Sequence, residues 1–331
     1  MTVSRRGLAA ILAAACLATA ADAARADDPA WPQRTVRLIA AQQAGSATDR
    51  VARILADFLV GLWKQPVVVD NRPGASGAIG TQIAARAEPD GYTLLVGGTS
   101  SLVTHPEIAP DVGFDADRDF VAIGRVAYVP FVLAVNARVP ATSVAELVAL
   151  ARERPGRVSF ATAGTGAFSA FALRAIAQAS GVEFLSVEYK GSNTATLDLV
   201  AGRVDARVSE LDAVLPHATA GTVRILAVAG QRRSSQIPDV PTLAESGVPG
   251  VELTPWYGVL APAGIDPAVR ARLEAAYAAA IQDPTVHSRL EAIGYDPVRD
   301  APGEFARAIR QDRLAARAIM RMAGSGATRA R

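Results

Sequence analysis

Short apolar runs alternate with helical patterns along nearly the whole of this chain, and that alternation restricts its fold more than any other feature. Runs of four to eight apolar, often β-branched residues bounded by turn signals read as buried strands. A spacing of three and four between apolar residues reads as helix. Strands are expected at Val36–Ala40, Pro66–Asp70, Thr93–Gly97, Val129–Val135, Val158–Thr162, Phe184–Val187, Val204–Ser209, Arg224–Ala229 and Leu253–Leu260. Helices are expected at Thr48–Leu62, Ala78–Arg86, Val144–Glu153, Ser169–Ala179, Ala195–Ala201, Asp212–Ala218, Pro267–Gln282, Pro284–Ile293 and Pro302–Ala323, and the tail from Gly324 to Arg331 is expected to fray. Ser143, Asp266 and Asp283 stand where N-caps belong, the two aspartates directly before a proline. The pattern is that of an α/β protein with largely parallel sheets.

Two long apolar segments, near Tyr128–Val135 and Thr254–Leu260, flank a self-contained βα block. If the chain crosses between lobes at both, residues 27–128 plus 256–331 form lobe 1 and residues 129–255 form lobe 2. A cleft between such lobes suits a small ligand. Residues 1–26 read as a signal peptide. Ser4-Arg5-Arg6-Gly7-Leu8 is a charged start, Leu8 to Ala21 is apolar, and Ala24-Arg25-Ala26 is a small-x-small cleavage site. The arginine pair fits either twin-arginine (Tat) or general secretory (Sec) export. Cleavage would remove Cys16, the single cysteine of the chain, and with it any disulfide or thiolate chemistry. It would also remove Arg5, Arg6 and Arg25 against Asp22, which takes the net charge of +2 to zero. No basic block is left for nucleic acid or an anionic membrane. An exported, periplasmic protein is expected.

Between the first strand and its helix lies Ala41-Gln42-Gln43-Ala44-Gly45-Ser46-Ala47-Thr48-Asp49. Ser46 and Asp49 have capping-box spacing, with Asp in the usual Glu/Gln place, so they can tie the helix start to itself. The N–H groups about Ala47 and Thr48 would still point outward with the helix dipole behind them, a place for an anion. A second elbow of the same kind is Ala163-Gly164-Thr165-Gly166, where two glycines allow close approach and the threonine offers a hydroxyl. A third candidate wall is Gly97, Thr99 and Ser100 at another strand end. Glu210 and Asp212 follow a strand, where a cap and solvent explain them as well as a ligand does.

Catalytic groups do not assemble. His105, His217 and His287 lack metal-pair spacing, and Ser76 in Gly74-Ala75-Ser76-Gly77-Ala78 misses the nucleophile-elbow pattern at its last residue. A nucleophile with a base, or two carboxylates with opposed pKa values, would be needed for an exported α/β hydrolase using Ser76 or the Glu210/Asp212 pair.

Four longer stretches are more specific: "WPQRTVRLIAAQQAGSATDRVAR", "QPVVVDNRPGASGAIGTQIAARAEPDGYTLLVGG", "VEYKGSNTATLDLVAGRVD" and "IPDVPTLAESGVPG" followed by "WYGVLAPAG". With Asn71-Arg72-Pro73-Gly74, Pro89-Asp90-Gly91-Tyr92-Thr93 and Pro238-Asp239-Val240-Pro241-Thr242, they resemble the Bug family over almost the whole mature chain. These are periplasmic solute-binding receptors of tripartite tricarboxylate transporters. The resemblance implies a two-lobed, class II periplasmic binding-protein fold that closes on a small carboxylate in a cleft between two mixed-sheet lobes, with no catalysis and no cofactor. Such ligands include citrate, other di- and tricarboxylates, acidic amino acids and aromatic acids.

In the family the first elbow runs roughly Pro-Phe-x-x-Gly-Gly-x-x-Asp. Gly45 and Asp49 match it, Ser46 stands at the second glycine, and Ala41 and Gln42 replace Pro-Phe. A common His after the second elbow is Ala170 here, and a common Asp falls on Ser209 with Glu210 beside it. Tyr189 of Tyr189-Lys190-Gly191-Ser192 is retained as a cleft-wall candidate. The expected ligand contacts are therefore Gln42, Gly45, Ser46, Ala47, Thr48, Asp49, Gly97, Thr99, Ser100, Ala163, Gly164, Thr165, Gly166, Tyr189, Ser209 and Glu210. The expected partners are a small organic acid and a membrane permease, or a sensor kinase of a two-component system. A monomer is expected.

Overall fold

The computed structural model describes residues 31–109, 111–164, 166–249, 254–301 and 303–327, the side chains of 319–327 excepted. Residues 1–30, with the expected signal segment and Cys16, lie outside the described residues, as do Thr165, the start of the Leu253–Leu260 run, Pro302 and residues 328–331.

Among the described residues eleven strands form two sheets. The first contains β1 (Val36–Ala40), β2 (Val67–Asn71), β3 (Thr93–Gly98), β4 (Phe120–Tyr128), β10 (Trp256–Pro262) and β11 (Asp296–Pro297), in the order β11-β4-β10-β3-β1-β2. The second contains β5 (Phe131–Asn136), β6 (Ser159–Thr162), β7 (Leu185–Glu188), β8 (Ala206–Glu210) and β9 (Val223–Val228), in the order β7-β6-β8-β5-β9. Both are mixed rather than largely parallel. β1 runs parallel to β2 and β3, and β6 to β7 and β8. β10 is antiparallel to both its neighbours, and β5 likewise. β5 and β10 enter a sheet directly from the other one, with no crossover helix to turn them round, and the two-residue β11 is also antiparallel to its neighbour β4.

The chain leaves β4 at Tyr128 and enters the other sheet at Phe131, and it returns into β10 at Trp256. The two passages lie side by side, with Val129 N–H donating to the Pro255 carbonyl at 2.8 Å.

Helices cover the sheets: α1 (Ala47–Trp63), α2 (Ala78–Ala85), the short α3 (His105–Ile108), α4 (Val144–Glu153), α5 (Phe168–Ser180), α6 (Ser192–Ala201), α7 (Leu211–Thr219), α8 (Pro267–Gln282), α9 (Pro284–Ala292) and α10 (Glu304–Ala327). The expected caps form: Ser143 accepts from Glu146 N–H, Asp266 from Ala268 and Val269, and Asp283 from Thr285 and Val286. α1 buries Val51, Leu55 and Leu59 on one face, each contributing about 1.5–3 kcal/mol of apolar transfer. It stops at Lys64, whose left-handed φ of 55° lets its N–H close on the Val60 carbonyl.

β4 has no counterpart among the expected strands, because Gly124 and Arg125 interrupt its apolar run. Packing explains both residues. A Cβ at position 124 would lie 2.2 Å from the Tyr277 ring of α8. Arg125 forms a nearly buried ion pair with Asp300, Nη2 to Oδ1 at 2.6 Å. α10 runs on to Ala327, past the expected start of the frayed tail, and Trp256 Nε1 donates to Asp312 on it at 2.7 Å.

Candidate functional site

Strand-to-helix elbows of both sheets meet between the lobes around a cavity of about 80 Å³, room for roughly five to eight waters and hence for a small acid. Its lining comes from Ala41, Gln42, Gln43 and Ser46 after β1, Pro73, Gly74, Ser76 and Gly77 after β2, and Ser100 after β3. Across from these stand Phe131, Ala163, Ala167, Phe168 and Ser169, then Lys190, Gly191 and Ser192 after β7, and Arg207 and Glu210 of β8.

The first elbow is held by its own residues. Ser46 Oγ accepts from Asp49 N–H at 3.3 Å, capping α1. Asp49 accepts from Gly45 N–H, Arg53 Nε and Asn71 Nδ2, each at 2.9 Å. Burial pushes its carboxyl up, but Arg53 and the hydrogen bonds outweigh that and leave it below the usual carboxylate range. Asp49 is thus spent on fixing the loop, and Gly45 serves the turn with φ of 77°. Ala47 and Thr48 are buried in the first turn, away from the lining.

The second elbow docks on the opposite lobe. Gly166 carbonyl accepts from Thr104 Oγ1 at 3.1 Å, and Phe168 N–H donates to Ser100 Oγ at 3.3 Å. A Cβ on Gly164 would stand 2.9 Å from Ser76 Oγ, and one on Gly166 only 1.6 Å from the buried His105 ring. Only backbone fits there. Ser76 and Ala75 themselves adopt left-handed φ of 53° and 46° between Gly74 and Gly77. Such strain on non-glycine residues collects at ligand sites.

Of the expected contacts, Gln42, Ser46, Ser100, Ala163 and Glu210 come together on the cavity. Gly97 is paired with Gly258 inside the sheet, and Thr99 accepts from Trp256 N–H at 2.9 Å, fixing the return passage. Tyr189 donates to Asp198 at 2.8 Å, and its phenol is pushed up to about 12 by burial and by that carboxylate. Ser209 is fully buried beneath Glu210.

The sequence reading passed over Arg207. It is 1% exposed, on β8, and borders the cavity. Its Nη1 donates to the Ser192 carbonyl at 2.7 Å and to Thr196, and its Nη2 to Ser192 Oγ at 3.0 Å, but Nε has no partner. Burial lowers its pKa to about 10, so it stays cationic at neutral pH. A charged residue inside an apolar strand was the available signal.

Behind the cavity Arg50 of α1 pairs with Asp212 at the start of α7, joining the lobes, and also donates to Tyr295 Oη at 2.8 Å. Burial raises the Asp212 carboxyl to about 6 against the pull of Arg50.

Three helix N-termini therefore face one cavity. α1 is capped by Ser46, whereas the N-cap residues of α5 and α6, Ala167 and Gly191, supply no side-chain cap, and at α5 Ser100 Oγ accepts from the Phe168 N–H instead. The N–H groups at the α6 start and the dipoles of the converging helices favour an anion there. Among the described residues no cluster of three His, Cys, Asp or Glu could hold a metal ion.

The sequence profile of the tripartite tricarboxylate transporter family receptor matches residues 51–324. The chain belongs to this family. BugT of Bordetella pertussis is 35% identical over 289 residues, which span 87% of this chain and 89% of that protein. Rpa4515 of R. palustris, solved with adipate, superposes with a TM-score of 0.83 at 33% identity, covering 89% of this chain and 98% of its own. MatC from Rhodopseudomonas palustris, solved with bound malate, gives 0.81 at 27% identity, over 87% and 99%. Members of the family are periplasmic receptors, and as one of them this chain is a two-lobed solute-binding receptor rather than an enzyme.

Proposed function

We propose that this receptor captures a small carboxylate in the cleft between lobe 1 (residues 27–128 plus 256–331) and lobe 2 (129–255), for delivery to a tripartite tricarboxylate-type permease. The observation that carries the reading is the convergence of the α5 and α6 N-termini, whose N-cap residues supply no side-chain cap, and the buried Arg207 guanidinium on one small cavity. Adipate and malate in the related structures are ligands of the same chemistry. Gln42, Ser46, Ser100, Ala163 and Glu210 are the expected contacts that line this space, with Ser169, Ser192 and Arg207 added. Residues 1–26 serve as the export signal that takes the receptor to the periplasm.

Thermal unfolding against a panel of carboxylates and their uncharged amides tests this. A ligand at 100 times its dissociation constant adds about 2.7 kcal/mol, a rise of roughly 5–10 °C in Tm. Selective stabilisation by acids is expected. Stabilisation by the amides alone, or by nothing in the panel, would refute it.

A further inference from the structure

The cavity that receives the carboxylate also contains one. Glu210 lies at the end of β8, 8% exposed, and forms part of the lining. Its Oε2 accepts from Ser192 Oγ at 3.0 Å and from Ser209 Oγ at 3.5 Å. Oε1 has no hydrogen-bond partner among the described residues. Arg207 is three residues earlier on the same strand, yet the two charges make no ion pair: Ser192 Oγ stands between them, accepting from Arg207 Nη2 and donating to Glu210 Oε2, each at 3.0 Å. The third charged group of the lining, Lys190, is exposed, unlike the buried Arg207 and Glu210. The site is thus bipolar, with the partnerless Arg207 Nε and the uncapped α6 start on one side and the Glu210 carboxylate on the other. A second carboxylate placed against Glu210 would meet a like charge in a confined space, whereas a donor would complete the acceptor's hydrogen bonding.

We propose that the site selects a small acid carrying a hydrogen-bond donor, an ammonium above all, opposite its carboxylate, and that Glu210 is the residue that recognises the donor. The inference rests on the carboxylate-receptor reading and narrows it.

Matched pairs differing only at the far end provide the test: β-alanine against succinate, 4-aminobutyrate against glutarate, and 5-aminovalerate against adipate. Affinities are measured by calorimetry on the dialysed protein at neutral pH. For the pair whose length fits, the amino acid is expected to bind about tenfold tighter or more, a difference of about 1.4 kcal/mol. In Glu210→Gln that ratio should fall to one or below, because the amide removes the charge and keeps the shape. Should that variant fail to fold, Glu210→Asp withdraws the carboxylate by one methylene and should weaken the amino acid while sparing the dicarboxylate. Dicarboxylates binding as well as or better than their partners in the unaltered protein would overturn the inference and leave the receptor reading standing. A ratio unchanged by the substitution would overturn the role of Glu210. Binding of no acid in any form would overturn both.

Discussion

Replacing Gly166 by alanine separates ligand capture from folding. The new Cβ would stand 1.6 Å from His105 Nδ1 and 2.4 Å from its Cγ, contacts no real methyl group can make. His105 is 6% exposed, and burial lowers its pKa, so the ring is a neutral part of the wall. Gly166 follows β6 of one sheet and His105 follows β3 of the other, so the collision exists only when the lobes are together. An open receptor escapes it. Overpacking of this kind costs about 1–3 kcal/mol, here charged to the closed form alone, which corresponds to a roughly 5- to 150-fold weaker dissociation constant. Calorimetry with whichever acid stabilises the wild type measures the loss, and urea unfolding without ligand should be unchanged within about 0.5 kcal/mol. Small-angle scattering should show the ligand-induced compaction diminished. His105→Ala in the same chain should restore much of the affinity, and the double-mutant cycle isolates the pair. An affinity within twofold of wild type, or an equal loss of stability in the unliganded protein, would refute the reasoning.

Arg207→Met keeps the length of the side chain and removes its charge. Loss of a charge-assisted hydrogen bond of about 1.5–3 kcal/mol should weaken acid binding by roughly 10- to 150-fold, and unliganded Tm should fall as well, because the Ser192 carbonyl and the Thr196 hydroxyl lose their donor. A Tm that falls with affinity unchanged would make Arg207 purely structural. Asp212 bears on pH dependence. Its folded pKa, raised by burial to about 6, lies above the unfolded value, so its stabilising contribution is complete below the unfolded pKa and is lost as pH rises through about 6. The stability of wild type relative to Asp212→Asn, followed by denaturant titration from pH 4 to 7, should therefore fall with pH. A relative stability that rises would show that Arg50 governs the carboxylate instead.

The sequence alone determined which segments are strands and helices, because burial periodicity and caps are local. Val144–Glu153 and Pro267–Gln282 begin and end where Ser143 and Asp266 say they should. It also showed the elbows, since small residues between a strand and a helix are a local signature. It missed β4, whose Gly124 and Arg125 make sense only beside Tyr277 and Asp300, more than 150 residues away. The same division runs through the site. Ser46 and Asp49 looked like both a cap and a ligand wall, and only the surrounding Asn71 and Arg53 decided that the Asp49 carboxylate is committed to the loop. The sequence could not place Arg207 beside Glu210 with Ser192 between them, because the end of β8 and the start of α6 meet only once the second sheet and its helices have packed. Local propensity fixes elements within a few residues. The charges a ligand meets are set by which elements come to face one another, and that is a property of the tertiary fold.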